Sequence, residues 1–508
     1  MNPDRDQFIS PPSSASSNGV EADVSGQVAM AFTAARSAQT SWSRTPLRER
    51  LKRIRVLRAL IAEHSHELAE SSAFARRRPV SEALVAEVVP LAEACRFLEK
   101  NARHILAPQR FGSRGRPLWL GGVTSEIQRE PWGVVLIIGP GNYPLLLPGV
   151  QIVQALAAGN SVVLKPGVGG LAAAHSLRRL IELAGIDARL VGLLPEAAEA
   201  ARMAIAARPN KVLFTGSAVV GEKVLFQLAP QLTPATMELS GCDAVIVRAD
   251  ADLDLVVKAL KFGLALNDGA TCMAPKRVFV AAACATELEG RLAEALRPST
   301  ATRSLSGNFK AAVDDLLAHG AHFIAGGVVG DQTIRLPAVV GGVLPAAKFL
   351  REDVFAPVTA LVTVADDHEA VLRTNDCPYG LGVSIFSQDE AQARKMATRV
   401  NAGIVTINDV LLPTADARLP FGGRNRSGFG STRGAEGLLE LSVPKVVTVS
   451  RSKFRFAFEA SHPDDAALFQ SYLTAAHQRG FGARLTAVGQ VLKNLIRRGK
   501  PNSSKNLL

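Results

Sequence analysis

The chain has 508 residues, of which 47% are hydrophobic and 20% charged, so it is long enough for two or three domains and has the composition of a soluble globular protein. Its net charge of +12 is dispersed, without interleaved aromatic residues, which argues against nucleic acid as a partner and favours a phosphate-bearing cofactor or an acidic surface. Five cysteines without Cys-x-x-Cys spacing argue against disulfides and against a metal site, and they indicate a reducing compartment, here the cytoplasm.

The N-terminal part of the chain is predicted to pass from disorder to helices. Residues 1–22 are predicted to be disordered, because the first twenty are polar and rich in serine and proline, which is not the pattern of a signal peptide. A helical pattern follows over residues 24–110, where Leu51 and Ile54 begin an apolar face at helical spacing. Residues 118–130 alternate imperfectly and predict a hairpin of exposed strands.

Residues 133–247 have the pattern of a doubly wound α/β domain. Three short apolar runs, at residues 134–138, 161–164 and 211–214, are separated by helical patterns. Because their hydrophobicity is continuous rather than alternating, we expect strands that are buried on both faces of a parallel sheet. Ligands of such sheets bind beyond the carboxyl ends of the strands, so the polar residues that end these runs are candidates for a site.

Two of these strand ends carry residues that suit a dinucleotide. Lys165 follows the second run, where its ammonium can reach a ribose hydroxyl or a phosphate; the alternative is a lysine that simply leaves the core for solvent. Gly216, Ser217 and Gly221 follow the third run at the start of a helix. There a glycine permits close backbone approach, and the helix N-terminus favours a pyrophosphate. A tight strand-to-helix turn without a ligand is the alternative.

Residues 243–426 again mix strand-like runs with helical patterns, which predicts a second α/β domain facing the first across a cleft. Its strand-like runs are residues 244–247, 277–280, 358–364 and 404–407.

Cys272 is a candidate nucleophile. It lies in a short segment of polar and small residues, where flanking regular structure can hold an accessible thiol rigidly. Its thiolate can attack a carbonyl carbon if neighbouring dipoles or charges lower its pKa, although most unpaired cysteines are small buried hydrophobes. Glu238 and Asn142 supply a carboxylate base and an amide donor, the other parts that acyl chemistry on an aldehyde requires. The alternatives are a salt-bridged surface acid for Glu238 and a turn residue for Asn142.

Short motifs around these residues, taken in order, resemble those of the aldehyde dehydrogenase superfamily, and the resemblance extends from about residue 42 to about residue 449. The motifs that carry it are residues 131–134, 142–144, 165–166, 214–217 with Gly221, 238–241, 269–272, 353–357, 379–381, 420–423 and 427–430.

The resemblance implies an aldehyde-dehydrogenase-like α/β fold with a Rossmann-type cofactor domain, an α/β catalytic domain and a β-hairpin oligomerisation arm. By it, residues 23–117 and 133–240 form the cofactor-binding domain and residues 241–430 the catalytic domain. The arm consists of residues 118–132 and 442–450 and implies a homodimer or homotetramer.

The resemblance also implies the reaction, which is oxidation of an aldehyde to the carboxylic acid with reduction of NAD or NADP. Cys272 attacks the aldehyde and forms a thiohemiacetal, whose oxyanion is stabilised by the Asn142 amide and the Cys272 backbone N–H. Hydride transfer leaves a thioester, which is hydrolysed by a water molecule that Glu238 activates. A coenzyme A-acylating relative and a non-catalytic binding member are the alternatives. Glu238 argues against the first, and the presence of all three residues argues against the second.

Two departures from the family pattern concern the cofactor. Val168 stands where NAD-preferring members carry a glutamate on the adenosine ribose, so we expect NAD to be used and NADP to be tolerated. Asp353 replaces a glutamate, so its carboxylate is one methylene shorter at the nicotinamide ribose. The cofactor-binding residues implied by the resemblance are Lys165, Gly216, Ser217, Gly221, Ser240, Asp353 and Phe355.

The parts that select the substrate are harder to assign. The mouth of the substrate tunnel is expected near residues 145–147, Met273 and residues 410–421. The three leucines 145–147 predict either an apolar entrance or the start of a packed helix.

Residues 451–508 lie beyond the resemblance and predict a helical tail. One interpretation is a helix docked on the body or on a partner subunit. The other is a helix on an anionic membrane surface, which would suit a lipophilic aldehyde. The apolar face consists of Leu485, Val488, Val491, Leu492, Leu495 and Ile496, and the basic residues are Lys493, Arg497, Arg498 and Lys500.

Overall fold

The computed structural model describes residues 17–296, 302–305, 307–330, 332–452 and 458–498. Of the segment predicted to be disordered, residues 1–16 lie outside the described residues. Residues 17–22 differ from the prediction, because they begin the helix Ser17–Trp42. Later turns of this helix bury Val28 and Phe32 against the protein, and a helix fixed by packing can extend by further turns.

The N-terminal helices belong to the larger of two compact units, which takes the chain up to Pro108 and then Gln128–Lys445. Leu51 and Ile54 are buried, which confirms the apolar face predicted from their spacing. The helices are Ser17–Trp42, Leu47–Glu63, Ser65–Ala73, Val80–Ala83 and Val89–Ile105, with a 3-10 turn at Phe74–Arg76 and a π-helical turn at Leu84–Val88.

The first sheet of this unit is parallel apart from one edge strand. Alternate strand residues such as Val135 and Leu136 enter separate apolar clusters, so the sheet is buried on both faces as predicted. In spatial order its strands are Gly428–Phe429, Ala235–Leu239, Lys211–Gly216, Val134–Ile138, Ser161–Lys165 and Val191–Leu193. Its helices are Leu146–Ala158, Leu171–Leu183, Ala198–Ala206 and Ala218–Leu228. The doubly wound α/β domain is therefore confirmed.

The antiparallel edge strand Gly428–Phe429 comes from the segment assigned to the catalytic domain, so it differs from the predicted division. Gly428 has φ +99°, and a Cβ atom there would lie 2.0 Å from the Met237 carbonyl oxygen. Only glycine permits this approach, which lets the returning chain complete the first sheet.

The second sheet has six parallel strands, with antiparallel strands at one edge. The chain enters it directly after Leu239, so the predicted boundary at residues 240–241 falls between the two sheets. Its strands are Thr302–Ser304 and His322–Val329, which both pair with Thr333–Gly341, followed by Val358–Val364, Pro275–Ala281, Asp243–Val247, Gly382–Phe386 and Ile404–Ile407. Its helices are Leu253–Ala265, Ala285–Ala295, Gly307–Ala318, Asp367–Asn375 and Glu390–Ala397. The helix Gly434–Glu440 instead packs on Val89–Ile105 and Leu146–Ala158, beside the first sheet. A two-stranded ladder joins Tyr379–Gly380 to Arg424–Asn425.

The structure places the hairpin predicted at residues 118–130 differently. Its first strand is Gln109–Phe111, which pairs antiparallel with Val123–Pro131, and Ser442–Ser450 completes a three-stranded sheet. Between the first two strands the chain forms a 3-10 turn at Leu118–Leu120. Gly115 and Gly122 have positive φ in this connection, so it turns where the sequence predicted a strand.

The smaller unit contains Gln109–Ile127 and Val446–Leu508. Its predicted helical tail consists of two helices, Asp465–His477 and Phe481–Arg498, which pack on each other and which we call the C-terminal hairpin. Lys500 of the predicted basic residues lies outside the described residues. Among those described, no helix combines the length and apolar character needed to cross a bilayer.

Candidate active site

Two loops from different sheets bring Asn142 and Cys272 together. The first loop follows the strand Val134–Ile138 of the first sheet and carries Asn142. The second precedes the strand Pro275–Ala281 of the second sheet and carries Cys272. Three hydrogen-bonded contacts join the loops directly, so their relative position is fixed. Asn142 Nδ2 donates to the Ala270 carbonyl (3.0 Å), Asn267 Nδ2 donates to the Asn142 carbonyl (2.9 Å), and the hydroxyls of Tyr143 and Thr271 are 2.7 Å apart.

The Cys272 loop has a backbone that ordinary residues rarely adopt. Asn267, Asp268 and Gly269 follow one another with φ of +50°, +52° and +66°. A Cβ atom on Gly269 would lie 2.4 Å from the backbone nitrogen of Pro357, so the loop packs directly on that segment. Such a conformation persists only where its surroundings enforce it, and it is typical of functional sites.

The Cys272 thiol is half-buried and is held in its protonated form. Burial raises its pKa, and the carboxylates of Glu238 and Asp243 raise it further. The Arg433 guanidinium and the Met273 N–H oppose this rise. The surroundings thus do not lower the pKa as a resting thiolate needs, so attack on a carbonyl requires that the thiol proton first be removed.

Glu238 is suited to accept a proton. It lies near the end of the strand Ala235–Leu239 and is almost fully buried. Thr432 Oγ1 donates a hydrogen bond of 2.8 Å to its Oε2, whereas Oε1 has no hydrogen-bond partner among the described residues. Burial raises the pKa of Glu238, and Arg433 and Thr432 oppose the rise. A buried carboxylate with one unbonded oxygen is a suitable general base.

A cavity of ≈ 590 Å³ opens at the thiol, and its wall is mostly apolar. A volume of this size holds a small organic molecule, and Cys272 and Arg433 provide reactive and charged groups in the wall. The apolar lining includes Val85, Leu146, Leu147, Phe262, Leu266, Met273, Leu411, Leu412 and Phe421, several of them in the segments expected at the tunnel mouth. Leu146 also begins the helix Leu146–Ala158, so both interpretations of the three leucines apply.

The predicted phosphate loop lies at the carboxyl end of the first sheet. Gly216 ends a strand, and Ser217 caps the following helix by accepting a 3.4 Å hydrogen bond from the Val220 N–H. Gly221 lets this helix approach Leu239, because a Cβ atom there would lie 2.7 Å from the leucine Cδ2. The helix N-terminus thus lies at a strand end, the arrangement that binds a pyrophosphate.

Lys165 ends the strand Ser161–Lys165, which the strand Val134–Ile138 separates from the one that ends at Gly216. Lys165 is buried, and this burial lowers its pKa while Glu196 opposes the shift. The loop after it is held by Glu196, whose two oxygens accept the N–H groups of Gly169 (2.9 Å) and Leu171 (2.7 Å). Glu196 was not among the predicted site residues, although it closely follows the strand Val191–Leu193 and a carboxylate at a strand end is a usable signal.

Asp353 and Ser240 lie side by side, as a ribose site requires. Burial raises the pKa of Asp353 to about 6, and Ser240 and the Lys276 ammonium oppose the rise. Asp353 Oδ1 is buried without a hydrogen-bond partner among the described residues, so a ribose hydroxyl would satisfy it. Phe355 is 37% exposed and can pack on a flat ring. These residues and the phosphate loop fit a nicotinamide dinucleotide.

Three residues near the thiol escaped sequence analysis. Lys276 is buried, and its Nζ donates to the carbonyls of Gly269 (3.2 Å) and Ala356 (2.8 Å). Thr432 and Arg433 follow the motif at residues 427–430 after Ser431. Arg433 could have been predicted as a site residue, because it is an arginine between small residues beside a motif. No sequence pattern predicts the contacts of Lys276 or Thr432.

The chain is similar to known proteins over most of its length, both in sequence and in structure. A model described as the aldehyde dehydrogenase family matches residues 4–447. The chain is 32% identical to a 4,4'-diapolycopene aldehyde oxidase of Methylomonas sp, over 83% of this chain and 81% of that protein. It is 30% identical to a putative succinate-semialdehyde dehydrogenase [NADP(+)] of Mycobacterium bovis, over 85% of each chain. A solved betaine aldehyde dehydrogenase of Staphylococcus aureus in complex with NAD+ has a TM-score of 0.77 at 26% identity, covering 85% of this chain and 89% of its own.

Proposed function

The chain belongs to the aldehyde dehydrogenase family, enzymes that oxidise aldehydes with NAD or NADP, and we propose that it does so through a thioester on Cys272 and releases a carboxylic acid. One observation carries the proposal: three hydrogen-bonded contacts join the Asn142 loop to the Cys272 loop, next to an apolar cavity. These contacts hold an amide donor close to a candidate nucleophile.

The first step is attack of the Cys272 sulfur on the aldehyde carbon. Because the thiol is protonated at rest, its proton must first pass to solvent through the cavity that opens at the thiol. The Arg433 charge favours this loss, whereas the Glu238 charge opposes it. An oxyanion forms on the substrate oxygen. Asn142 Nδ2 has two hydrogens and donates one to Ala270, so the second is free to stabilise this oxyanion together with the Cys272 N–H.

The second half of the reaction converts the thiohemiacetal on Cys272 into a thioester and then into the acid. The bound dinucleotide supplies the hydride acceptor for this oxidation. Asp353, Ser240 and Phe355 hold the nicotinamide side. Glu238 then takes a proton from water as the water attacks the thioester, and the thiol is regenerated when the acid leaves.

The adenosine side of the site favours neither dinucleotide strongly. Val168 is 79% exposed on the loop after Lys165, where a carboxylate would repel a 2′-phosphate. We propose that the enzyme uses NAD and tolerates NADP. Val168→Glu should weaken NADP+ binding about tenfold more than NAD+ binding, measured by isothermal titration. Equal effects on the two cofactors would contradict this assignment.

We propose a lipophilic aldehyde as the substrate, because the cavity wall is mostly apolar. The relative from Methylomonas sp is named for a diapolycopene aldehyde, which supports a lipophilic aldehyde as the substrate class.

The test is reduced-cofactor formation by purified protein with short, aromatic and long-chain aldehydes. Long-chain aldehydes should give the highest kcat/KM, and Cys272→Ala should abolish turnover. A matched control is Cys95→Ala, which changes a buried thiol that does not line the cavity. Turnover that survives in Cys272→Ala would overturn the mechanism.

We further propose a homodimer or homotetramer that works in the cytoplasm, peripheral to a membrane. The strand Ser442–Ser450 exposes Val446 and Val449, which is unfavourable for a strand in water and favours pairing with another subunit. All five cysteines are free thiols, which suits a reducing compartment. Val446→Asp should shift the sedimentation coefficient towards a monomer; an unchanged coefficient would refute this interface.

A further inference from the structure

The C-terminal hairpin directs only one side of its second helix towards the first. Among the described side chains of the second helix, Ala487 and Asn494, seven residues apart, are the buried ones. Asn494 Nδ2 donates to Ser471 Oγ at 3.1 Å, and Arg484 Nε donates to the Ala475 carbonyl at 3.0 Å. These contacts fix the rotation of the second helix about its axis, so the remaining side has a defined direction.

That remaining side carries an uninterrupted apolar stripe. Residues spaced by three and four positions lie above one another on a helix, and these fall within about 100° of its circumference. Their side chains are between 45% and 65% exposed, far more than packing in a core would leave. The stripe consists of Leu485, Val488, Leu492, Leu495 and Ile496.

The charges on the second helix are all positive. Its sequence contains four basic residues and no acidic one. Helical geometry places Arg484 on one border of the stripe and Lys493 on the other. An apolar stripe with basic borders matches the two layers of an anionic lipid surface, acyl chains below and phosphates above.

We propose that the C-terminal hairpin docks on an anionic membrane surface, with the apolar stripe in the acyl layer and Arg484 and Lys493 at the lipid phosphates. The contact is peripheral, because no helix among the described residues can cross a bilayer. The proposal rests on the proposed function in one respect: a membrane is where a lipophilic aldehyde accumulates, so docking brings the enzyme to its substrate.

A second copy of the chain is a poorer occupant of the stripe. In a two-fold symmetric contact the same patch faces itself, so the basic borders of two second helices would meet, and that helix has no acidic residue to pair with them. Anionic phosphates instead neutralise those borders.

The test is flotation of the purified full-length protein with lipid vesicles. The protein should float with vesicles of phosphatidylcholine and phosphatidylglycerol and much less with phosphatidylcholine alone. Leu485→Gln/Leu492→Gln should lower the bound fraction about tenfold, because two apolar anchors are lost. The matched control Ala483→Gln/Thr486→Gln introduces the same residues on another exposed side of the helix and should bind as the natural protein does. Lys493→Glu/Arg497→Glu should weaken binding to the anionic vesicles only.

Turnover of a short water-soluble aldehyde is measured for every variant and should not change. For the natural protein this separates the two proposals: absent flotation with intact turnover refutes docking alone, and absent turnover with intact flotation refutes the proposed function alone. Flotation of Leu485→Gln/Leu492→Gln equal to that of the natural protein would overturn the docking surface. So would a change in its sedimentation coefficient without a change in flotation, which would assign the stripe to a subunit contact.

Discussion

Arg433 is a cation whose charge acts on both Cys272 and Glu238. Its charge lowers the pKa of Cys272 and of Glu238, which burial raises. The guanidinium is fixed by Nη1 donating to the Thr414 carbonyl at 2.6 Å and by stacking 4.6 Å above the centre of the Phe421 ring. A positive charge held in this way favours the thiolate and the carboxylate over their protonated forms.

The first prediction is a shift of thiol reactivity with pH. In Arg433→Met the cation is lost, so the pKa of Cys272 rises further and the pH at which iodoacetamide alkylates it increases. The other charged groups that act on the thiol, Glu238 and Asp243, remain. The alkylation rate at Cys272 is followed by peptide mass spectrometry.

Two further variants separate the charge from the packing of Arg433. Arg433→Lys keeps the charge and should restore most of the natural profile. Arg418→Gln, which removes an exposed arginine paired with Asp416, should leave the profile unchanged. An identical profile for Arg433→Met and the natural protein would show that the guanidinium has only a packing role.

The Cys272 loop is the element in which the structure concentrates backbone strain. It is held from two directions, by the Asn142 loop and by Lys276, which joins Gly269 to Ala356. Both neighbouring segments carry candidate ligands of the substrate or cofactor. A change in this loop should therefore affect stability and catalysis together.

The second prediction compares two glycine substitutions that should change the free energy of unfolding in opposite directions. Gly269→Ala should lower the free energy of unfolding by about 1–3 kcal/mol, because its φ is +66° and its Cβ would meet the backbone of Pro357. Gly290→Ala, in the helix Ala285–Ala295 with no atom within 4 Å of an added Cβ, should raise it by about 0.5–1 kcal/mol. Urea unfolding measures both; a stabilising Gly269→Ala would refute the strained loop.

At the scale of the whole molecule, the site lies where the two sheets of the larger unit meet. The sequence was sufficient to predict both sheets, because buried parallel strands such as Val134–Ile138 and Val358–Val364 are continuous apolar runs. It also singled out Cys272, Glu238 and Asn142, whose neighbouring motifs are short and ordered along the chain.

The remaining features depend on contacts between distant residues, which periodicity does not contain. The strand Gly428–Phe429 pairs with the first sheet because Gly428 can approach the Met237 carbonyl closely, although the earlier strand Ile404–Ile407 belongs to the second sheet. The hairpin strand Gln109–Phe111 is only three residues long and too short to show alternation. Lys276 looked like an ordinary basic residue at a strand start, and only the fold reveals the two carbonyls that it joins.

The most direct measurement is trapping of the acyl-enzyme in Glu238→Gln. Without the base that activates water, hydrolysis should slow about a hundredfold or more, while formation of the thioester continues. One equivalent of reduced cofactor should therefore form in a burst, and peptide mass spectrometry should find the acyl group on Cys272. Thr432→Val, which removes only the hydrogen bond to Glu238, should keep steady turnover at a reduced rate. A burst with the acyl group on another residue would contradict the role of Cys272 as the nucleophile. Steady turnover of Glu238→Gln at the natural rate would contradict the role of Glu238 as the base for hydrolysis.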